Sequence, residues 1–480
     1  MNKIRTVCVF LLFLLLNEAG IAQNNLPAGK LSLQQCVETA IANNLDVQQS
    51  NLLMQRSKID WNQARLNLLP NLTGNAGLDI TQGRNIDQAT NTYINNKATY
   101  GNYGLNSNVV LFNGLYLQNA VKQNALAYEA SRMDWQQAKD NITINTILAY
   151  LQVLTNEDLL VQSRSQVVVS KNDIDRLDIL NKEGAIQPSQ LSDIKGQYAN
   201  DQLAIINTQN SLEISKITLC QLMNIPYDKN LQLERINAEA YATKYEQSPD
   251  SIYQVALQQF SLVKAADLRA QSSARAVKAA RGQLFPTLSL SANTGTSYAS
   301  TFSNDILLST SHDVQTNDYV LVNGTPSKLI RSVPDFRTEK VSYNSQLNNN
   351  RSSAVSLNLR IPFFNSLFSR NRVKLAKLTL QNNELVAKTT RTQLQQSIEQ
   401  AYSNMNSASE RYKVLLEQVT AYTESFRAAT IRFNAGLGTS VDYLTAKNNL
   451  DRTNINVISA KYDYVLRTKI LDYYQGKQLW

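Results

Sequence analysis

The chain has 480 residues, 47 Lys+Arg against 38 Asp+Glu, three cysteines, one histidine and a formal net charge of +9. The charges are spread along the sequence without a basic block, so nucleic acid is not expected as a partner. So few cysteines exclude a disulfide framework, and one histidine excludes a histidine-built metal cluster.

Residues 1–22 open with Lys3 and Arg5, continue through an apolar run from Val7 to Leu16, and close on Gly20-Ile21-Ala22. That is the pattern of a secretory signal peptide, with cleavage expected after Ala22 or Gln23. The apolar run is too short to span ~30 Å of hydrocarbon, and no later run reaches 18 apolar residues. An exported chain without a helical span either stays soluble or enters a membrane as β-strands. Two cysteines then remain, Cys36 and Cys220, each in a helical pattern; buried thiols are the expectation, with a disulfide left open.

A first structural repeat is expected over 23–226. Its apolar spacing predicts a helix over 33–69, ending at Pro70. Alternating segments at 71–80 and 102–112 predict a hairpin with one apolar face (Leu72, Leu78, Ile80; Tyr103, Leu105, Val109, Leu111) and one polar face. No Gly or Pro interrupts 115–183, which predicts a long helix closed by Gly184. Pro188 suits the start of a helix over 189–223. Residues 227–248 lack periodicity and are read as a connecting segment.

The plan then recurs over 249–480. With an offset of 216, Pro70 falls on Pro286, Ala64-Arg65 on Ala280-Arg281 and Leu72 on Leu288; with an offset of 252, Phe112-Asn113 falls on Phe364-Asn365 and Gly184 on Gly436. The second repeat is predicted as a helix over 250–284, strands over 287–298 and 353–363, a long polar loop over 299–351, a long helix over 366–434 and a helix over 441–475. The difference between offsets makes the second hairpin 36 residues longer. An internal duplication of this kind is specific.

The second long helix carries a seam of period 3.5 from Leu394 through Ile398, Met405, Tyr412 and Phe426 to Phe433, as in a left-handed coiled coil. At ~1.5 Å per residue such a helix is on the order of 100 Å long. The corresponding seam of the first long helix is polar at Thr146, Asn156, Ser163, Ser170 and Asn181. A helix pair that moves is therefore expected to be the first. Four strands cannot close a barrel alone, and open edges are not tolerated in lipid, so the hairpins are expected to join those of other copies. The competing architecture is a solid coiled-coil bundle with incidental hairpins.

The duplicated helix–hairpin–helix–helix plan, the Leu69-Pro70-Asn71-Leu72 segment echoed at 284–288, and the stretch Phe433-Asn434-Ala435-Gly436-Leu437-Gly438-Thr439 resemble the TolC-type outer membrane efflux proteins. The resemblance covers the chain beyond the leader. It implies a mainly α fold with a transmembrane β-barrel contribution: a homotrimer whose four strands per chain make a twelve-stranded barrel, continuous with a periplasmic helical coiled-coil tunnel. It further implies outer membrane lipid around the barrel, and docking of the tunnel tip to a periplasmic adaptor (membrane fusion) protein and an inner-membrane pump of RND or ABC type. The expected role is a passive exit duct for small toxic compounds. Protein secretion of type I is the alternative, and a non-conducting structural coiled coil is the alternative of another class. Most of the chain would lie in the periplasm of a Gram-negative bacterium.

No nucleophile elbow, phosphate loop, metal-binding or redox motif is present, so neither an enzyme nor a cofactor is expected. Gly184 and Gly436 end helices, and the resemblance adds Leu437 and Thr439 as docking candidates. Phe433, Asp442 and Thr445 are the gate candidates. Asp442 is either a helix-start carboxylate or one member of an acidic ring, and the two roles are compatible. The family's second gate aspartate falls on Thr445, its arginine on Gly438 and its tyrosine on Phe433, so closure by packing is expected rather than closure by salt bridges. Asp173, Asp175 and Asp178 are read as a solvated face. Phe363 and Phe364 are read either as an interface girdle or as core.

Overall fold

The computed structural model describes residues 29–86, 91–236, 247–477 and 479, so the expected leader and part of the connecting segment lie outside the described residues. The first half runs α1 (Leu33–Asn43), α2 (Leu45–Leu66), β1 (Asn71–Ile86), β2 (Tyr93–Phe112), α3 (Tyr116–Lys182) and α4 (Pro188–Met223). The second runs α5 (Pro249–Gln259), α6 (Ser261–Gly282), β3 (Thr287–Ala299), β4 (Ser303–Val322), β5 (Thr325–Lys340), α7 (Tyr343–Asn349), β6 (Ser352–Arg360), α8 (Phe368–Asn434) and α9 (Ser440–Tyr474). The helix starts repeat at the same two offsets, 216 before the hairpins and 252 after them. The backbone repeats too: Gly114-Leu115 and Ser366-Leu367, 252 apart, both take positive φ where a hairpin turns into a long helix.

Two expectations need correction. The helices expected over 33–69 and 250–284 are each broken, at Asn44 and at Phe260, where ψ swings to 130° and 118°. Asn44 breaks the helix by capping the next one, its Oδ1 accepting from the N–H groups of Asp46 (3.0 Å) and Val47 (3.3 Å). The Phe260 ring packs edge-on to Tyr473 at 5.6 Å. Nor is 299–351 a polar loop: it holds β4, β5 and α7. Asn323-Gly324, both at positive φ (53° and 82°), is the turn that folds β4 back on β5.

One compact unit comprises Leu53–Arg132 and Ala265–Thr389. Its centre is an antiparallel sheet in the order β1-β2-β3-β6, and β4–β5 form a separate two-stranded sheet. The registers align one parity across all four strands. Leu105 pairs with Gly74, Val109 with Leu290, and Leu288, Leu290 and Ala292 with Leu359, Leu357 and Val355. This apolar face is uncovered, with Leu72 73% and Val355 74% exposed. The opposite face is a ladder of short polar side chains. Asn106 donates to Asn75 at 3.0 Å and Asn358 to Ser291 at 3.0 Å; Thr294 and Ser353, which meet at 2.9 Å, stand on the apolar parity where that face runs toward the β4–β5 end. Among the described residues the outer edges of β1 and β6 have no strand partner. Beyond the end of β6, the buried Gln346 of α7 takes its place beside β3: its amide accepts from the Ala299 N–H (2.9 Å) and donates to the Ala299 carbonyl (3.1 Å). At the helix end of the sheet, Gly114 and Gly282 pack backbone to backbone; a Cβ on Gly282 would lie 2.7 Å from the Gly114 carbonyl.

The other compact unit is helical, and its described residues are 29–52, 133–236, 247–264, 390–477 and 479. Its largest core gathers Val37, Tyr150, Leu154, Leu219 and Val465. Buried Tyr150 donates through its hydroxyl to the Leu31 and Glu234 carbonyls, fixing the short bridge Leu31–Leu233. Cys36 and Cys220 are free and buried in this core; burial pushes the Cys36 thiol up to about 12. A second core is the α8 seam itself, with Leu394, Ile398, Ala401, Met405 and Ala408 packed against Ile252, Val263, Tyr464 and Leu471. The α3 seam is buried or half-buried despite its polar residues. Thr146, Ser163 and Ser170 donate to their own helix's carbonyls four residues back, and Asn156 donates to the Ser211 carbonyl at 3.0 Å. Among the described residues no helix is long and apolar enough to cross a membrane.

Candidate functional site at the two helix turns

Both long helices end in the same way. Gly184 and Gly436 take φ of 73° and 70°. Ala185 N–H reaches the Leu180 carbonyl and Gly184 N–H that of Asn181; Leu437 N–H reaches Arg432 and Gly436 N–H reaches Phe433. These paired bonds satisfy the last carbonyls of each helix, a Schellman arrangement that requires a left-handed residue. The returning helices start differently. Thr439 and Asp442 form a reciprocal capping box at α9: Thr439 Oγ1 accepts from the Asp442 N–H at 3.1 Å, and Asp442 Oδ2 accepts from the Thr439 N–H at 3.3 Å and from its hydroxyl at 2.8 Å. At α4 the cap residue Gln187 makes no side-chain bond, and Pro188 supplies the start. Hydrogen bonds from Thr439 hold the exposed Asp442 carboxyl below its ordinary value.

A small core joins the two turns. Leu177, Leu191 and Ile194 pack with Phe433 and Tyr443. The Phe433 and Tyr443 rings stack at 4.9 Å and 18°, with the Arg176 guanidinium 5.7 Å from the Phe433 ring centre. Arg176 also bonds Asn434, and Ser440 donates to Asp193 at 2.7 Å. Phe433, a gate candidate, is thus packed inside the protomer. Thr445 is exposed, as are Thr439, Gly184, Gly436 and Leu437, the last at 81%.

The polar residues that tie the two turns together include several that sequence reasoning missed. Asp173 is not solvated as expected: its side chain is 15% exposed and accepts the Tyr443 hydroxyl at 2.6 Å. Burial raises its carboxyl above the ordinary value and raises the Tyr443 phenol. Asp175 and Asp178 do face solvent, paired with Lys171 and Lys182. Deeper in, Lys447 is buried between Asp451 at 2.7 Å and Asp201 at 3.2 Å, with Ser170 and Gln197 also bonding Asp201. A lysine one turn beyond Tyr443, on the same helical row, was the available signal. Among the described residues no group of His, Cys, Asp or Glu could hold a metal ion.

The family model described as "Outer membrane efflux protein" matches residues 36–224 and 252–472, one segment for each half. The chain belongs to the outer membrane efflux protein family. That family is one of outer membrane channels, not of enzymes. The fold agrees with solved structures of such channels. VceC from Vibrio cholerae aligns with a TM-score of 0.74 at 16% identity, over 93% of this chain and 97% of that one. The open state of the MtrE channel from Neisseria gonorrhoeae aligns at 0.72 and 16%, over 93% and 89%. The CmeC channel from Campylobacter jejuni aligns at 0.71 and 16%, over 92% and 85%. No curated protein matches the sequence. As an efflux family member, this chain carries its two aligned segments on either side of the connecting residues 225–251, and both helix turns fall inside the aligned segments.

Proposed function

We propose that this chain is the outer membrane exit duct of a tripartite export system, passively conducting small toxic compounds from an inner-membrane pump, by way of a periplasmic adaptor, to the exterior. The observation that carries the reading is the sheet. Four strands share one uncovered apolar face and one polar face, and among the described residues both outer edges lack a strand partner. In lipid every backbone N–H and C=O must be satisfied, so such a sheet has to close with other sheets. Because the four strands alternate in direction, β6 of one copy can extend β1 of the next antiparallel, and repetition closes a ring. Three copies give a twelve-stranded barrel with apolar residues on lipid and the Asn, Ser and Thr ladder on the pore. The helices then form the periplasmic tunnel, and its tip carries the exposed Gly184, Gly436, Leu437 and Thr439 as the adaptor-docking surface.

The gate in this reading is closed chiefly by packing around Phe433, with Asp442 and Thr445 exposed beside the turn. Opening is a two-state shift of packed helices. Purified protein in planar bilayers tests the duct: reproducible conductance, altered by Asp442→Asn, is expected. No conductance under any condition that loosens the tip would favour a structural rod. In cells, Gly436→Trp should abolish drug resistance with membrane insertion intact. Normal resistance in that variant would count against a docking tip, and loss of a secreted polypeptide instead of resistance would move the cargo to protein.

A further inference from the structure

The chain's positive charge, spread evenly when read along the sequence, is concentrated in space. The register brings all four helix–strand junctions to one end of the sheet: Asn71 pairs with Asn108, Phe112 with Leu288, and Thr287 with Arg360. The segments adjoining those junctions are residues 56–70, 113–127, 272–286 and 361–377. Together they hold eleven Lys and Arg and one acid, Asp60, a charge of +10 against +9 for the whole chain. Ten of the eleven cations are exposed and Arg275 is half-buried. None enters an ion pair among the described residues. At the opposite end, β4 and β5 are nearly balanced, with four Lys and Arg against five acids.

The cations follow directly on apolar and aromatic surface. The exposed parity of β6 continues through Ile361 to Phe363, which is 92% exposed, beside Phe364 at 80%. A groove of about 450 Å³ opens there, with Phe363, Phe364 and Leu367 on its apolar side and Gln283, Asn365, Ser369 and Arg370 on its polar side. One turn on, the Arg372 guanidinium lies 5.0 Å over the Phe368 ring. An apolar wall that ends in unpaired guanidinium groups fits a molecule with an acyl chain and an anionic head.

We propose that this collar binds anionic phospholipid, with headgroup phosphates on the arginines around Arg281, Arg370 and Arg372 and an acyl chain in the groove. The proposal rests on the reading that the apolar sheet face meets lipid. It assigns the helix-side end of the sheet to a phospholipid leaflet and sets the depth at which the sheet sits.

The test is native mass spectrometry of the intact oligomer released from detergent containing equimolar phosphatidylglycerol and phosphatidylethanolamine. Phosphatidylglycerol should be retained over phosphatidylethanolamine by at least roughly fivefold, the effect of one engaged cation. The preference should collapse in 0.5 M NaCl and in the triple variant Arg281→Gln/Arg370→Gln/Arg372→Gln, and should survive Arg331→Gln/Arg337→Gln in the β4–β5 hairpin. Equal retention of both lipids by the unmodified protein overturns the proposal, as does an unchanged preference in the triple variant. Loss of the oligomer in that variant would make the collar an interface between copies and also overturn it. Flotation with neutral vesicles separates the two levels. Insertion without lipid preference removes the collar alone, whereas failure to insert into any vesicle removes the membrane reading and the collar with it.

Discussion

Asp173 shows how a single residue can be misread from spacing alone. Three aspartates at intervals of two and three must scatter round a helix, and two of them do face solvent. Which helical row turns inward depends on α9, and specifically on where Tyr443 reaches. The carboxylate buried there gains one strong hydrogen bond and loses its water. Tyr443→Phe would leave it with fewer donors, and we expect a local destabilisation of about 1–3 kcal/mol, read as faster hydrogen exchange near the turns. The pH dependence follows from the direction of the shift. Burial raises the Asp173 carboxyl above its ordinary 3.8, so the folded state binds the proton more tightly than the unfolded chain. The stabilising contribution is therefore complete below 3.8 and is lost as pH rises through the raised value. Asp173→Asn should flatten that decline while keeping the Tyr443 bond, and an unchanged pH profile would show that Asp173 is not the group responsible. For exposed Asp442 the sign is opposite: its capping contribution is present above 3.8 and falls away as the carboxyl protonates.

Elements were legible where a breaker or a strict period marked them. The α8 seam is buried or half-buried along its whole length, and the turns at Gly184 and Gly436 stand where each long helix stops. The breaks at Asn44 and Phe260 were not legible, because neither a Gly nor a Pro marks them. An Asn inside an apolar period can cap as readily as it can continue. The β4–β5 hairpin was hidden by its polar composition, although Asn323-Gly324 between Tyr319-Val320-Leu321-Val322 and the next strand is a strong hairpin signal. The turn chemistry makes a clean prediction. Nothing lies within 4 Å of a Cβ built on Gly436, so only the backbone resists substitution. Gly436→Ala should cost about 1 kcal/mol, and Gly436→Asn should cost less, since Asn visits the left-handed region more easily. Equal costs would show that contact outside the protomer, not φ, selects glycine. In the seam, Ile398 is 0% exposed, and Ile398→Ala should cost about 2–5 kcal/mol in thermal or denaturant unfolding.

At the scale of the molecule, the duplication has been elaborated on one side only. β1 and β2 are joined by residues 87–92, whereas β3 and β6 are separated by β4, β5 and α7. The insertion contributes no strand to the four-stranded sheet and is tied to it at its base, where Val341 N–H reaches the Phe302 carbonyl at 3.2 Å and Gln346 brackets Ala299. Its own edges are blunted by Pro326 and Pro334 on β5 and by register shifts in β4, devices that discourage further pairing. In the proposed ring the hairpin is therefore expected to be dispensable and α7 is not, because Gln346 satisfies the backbone of β3 where β6 has ended. Replacing residues 303–340 by a short Gly/Ser turn should leave oligomer, membrane insertion and single-channel conductance within about twofold of the full chain, since the sheet retains every ladder bond. Gln346→Ala, which orphans the Ala299 N–H, should weaken the oligomer more than the 38-residue deletion does. If the deletion instead abolishes insertion, the hairpin pairs with a neighbouring copy despite its blunted edges. The barrel would then be built from six strands per chain rather than four.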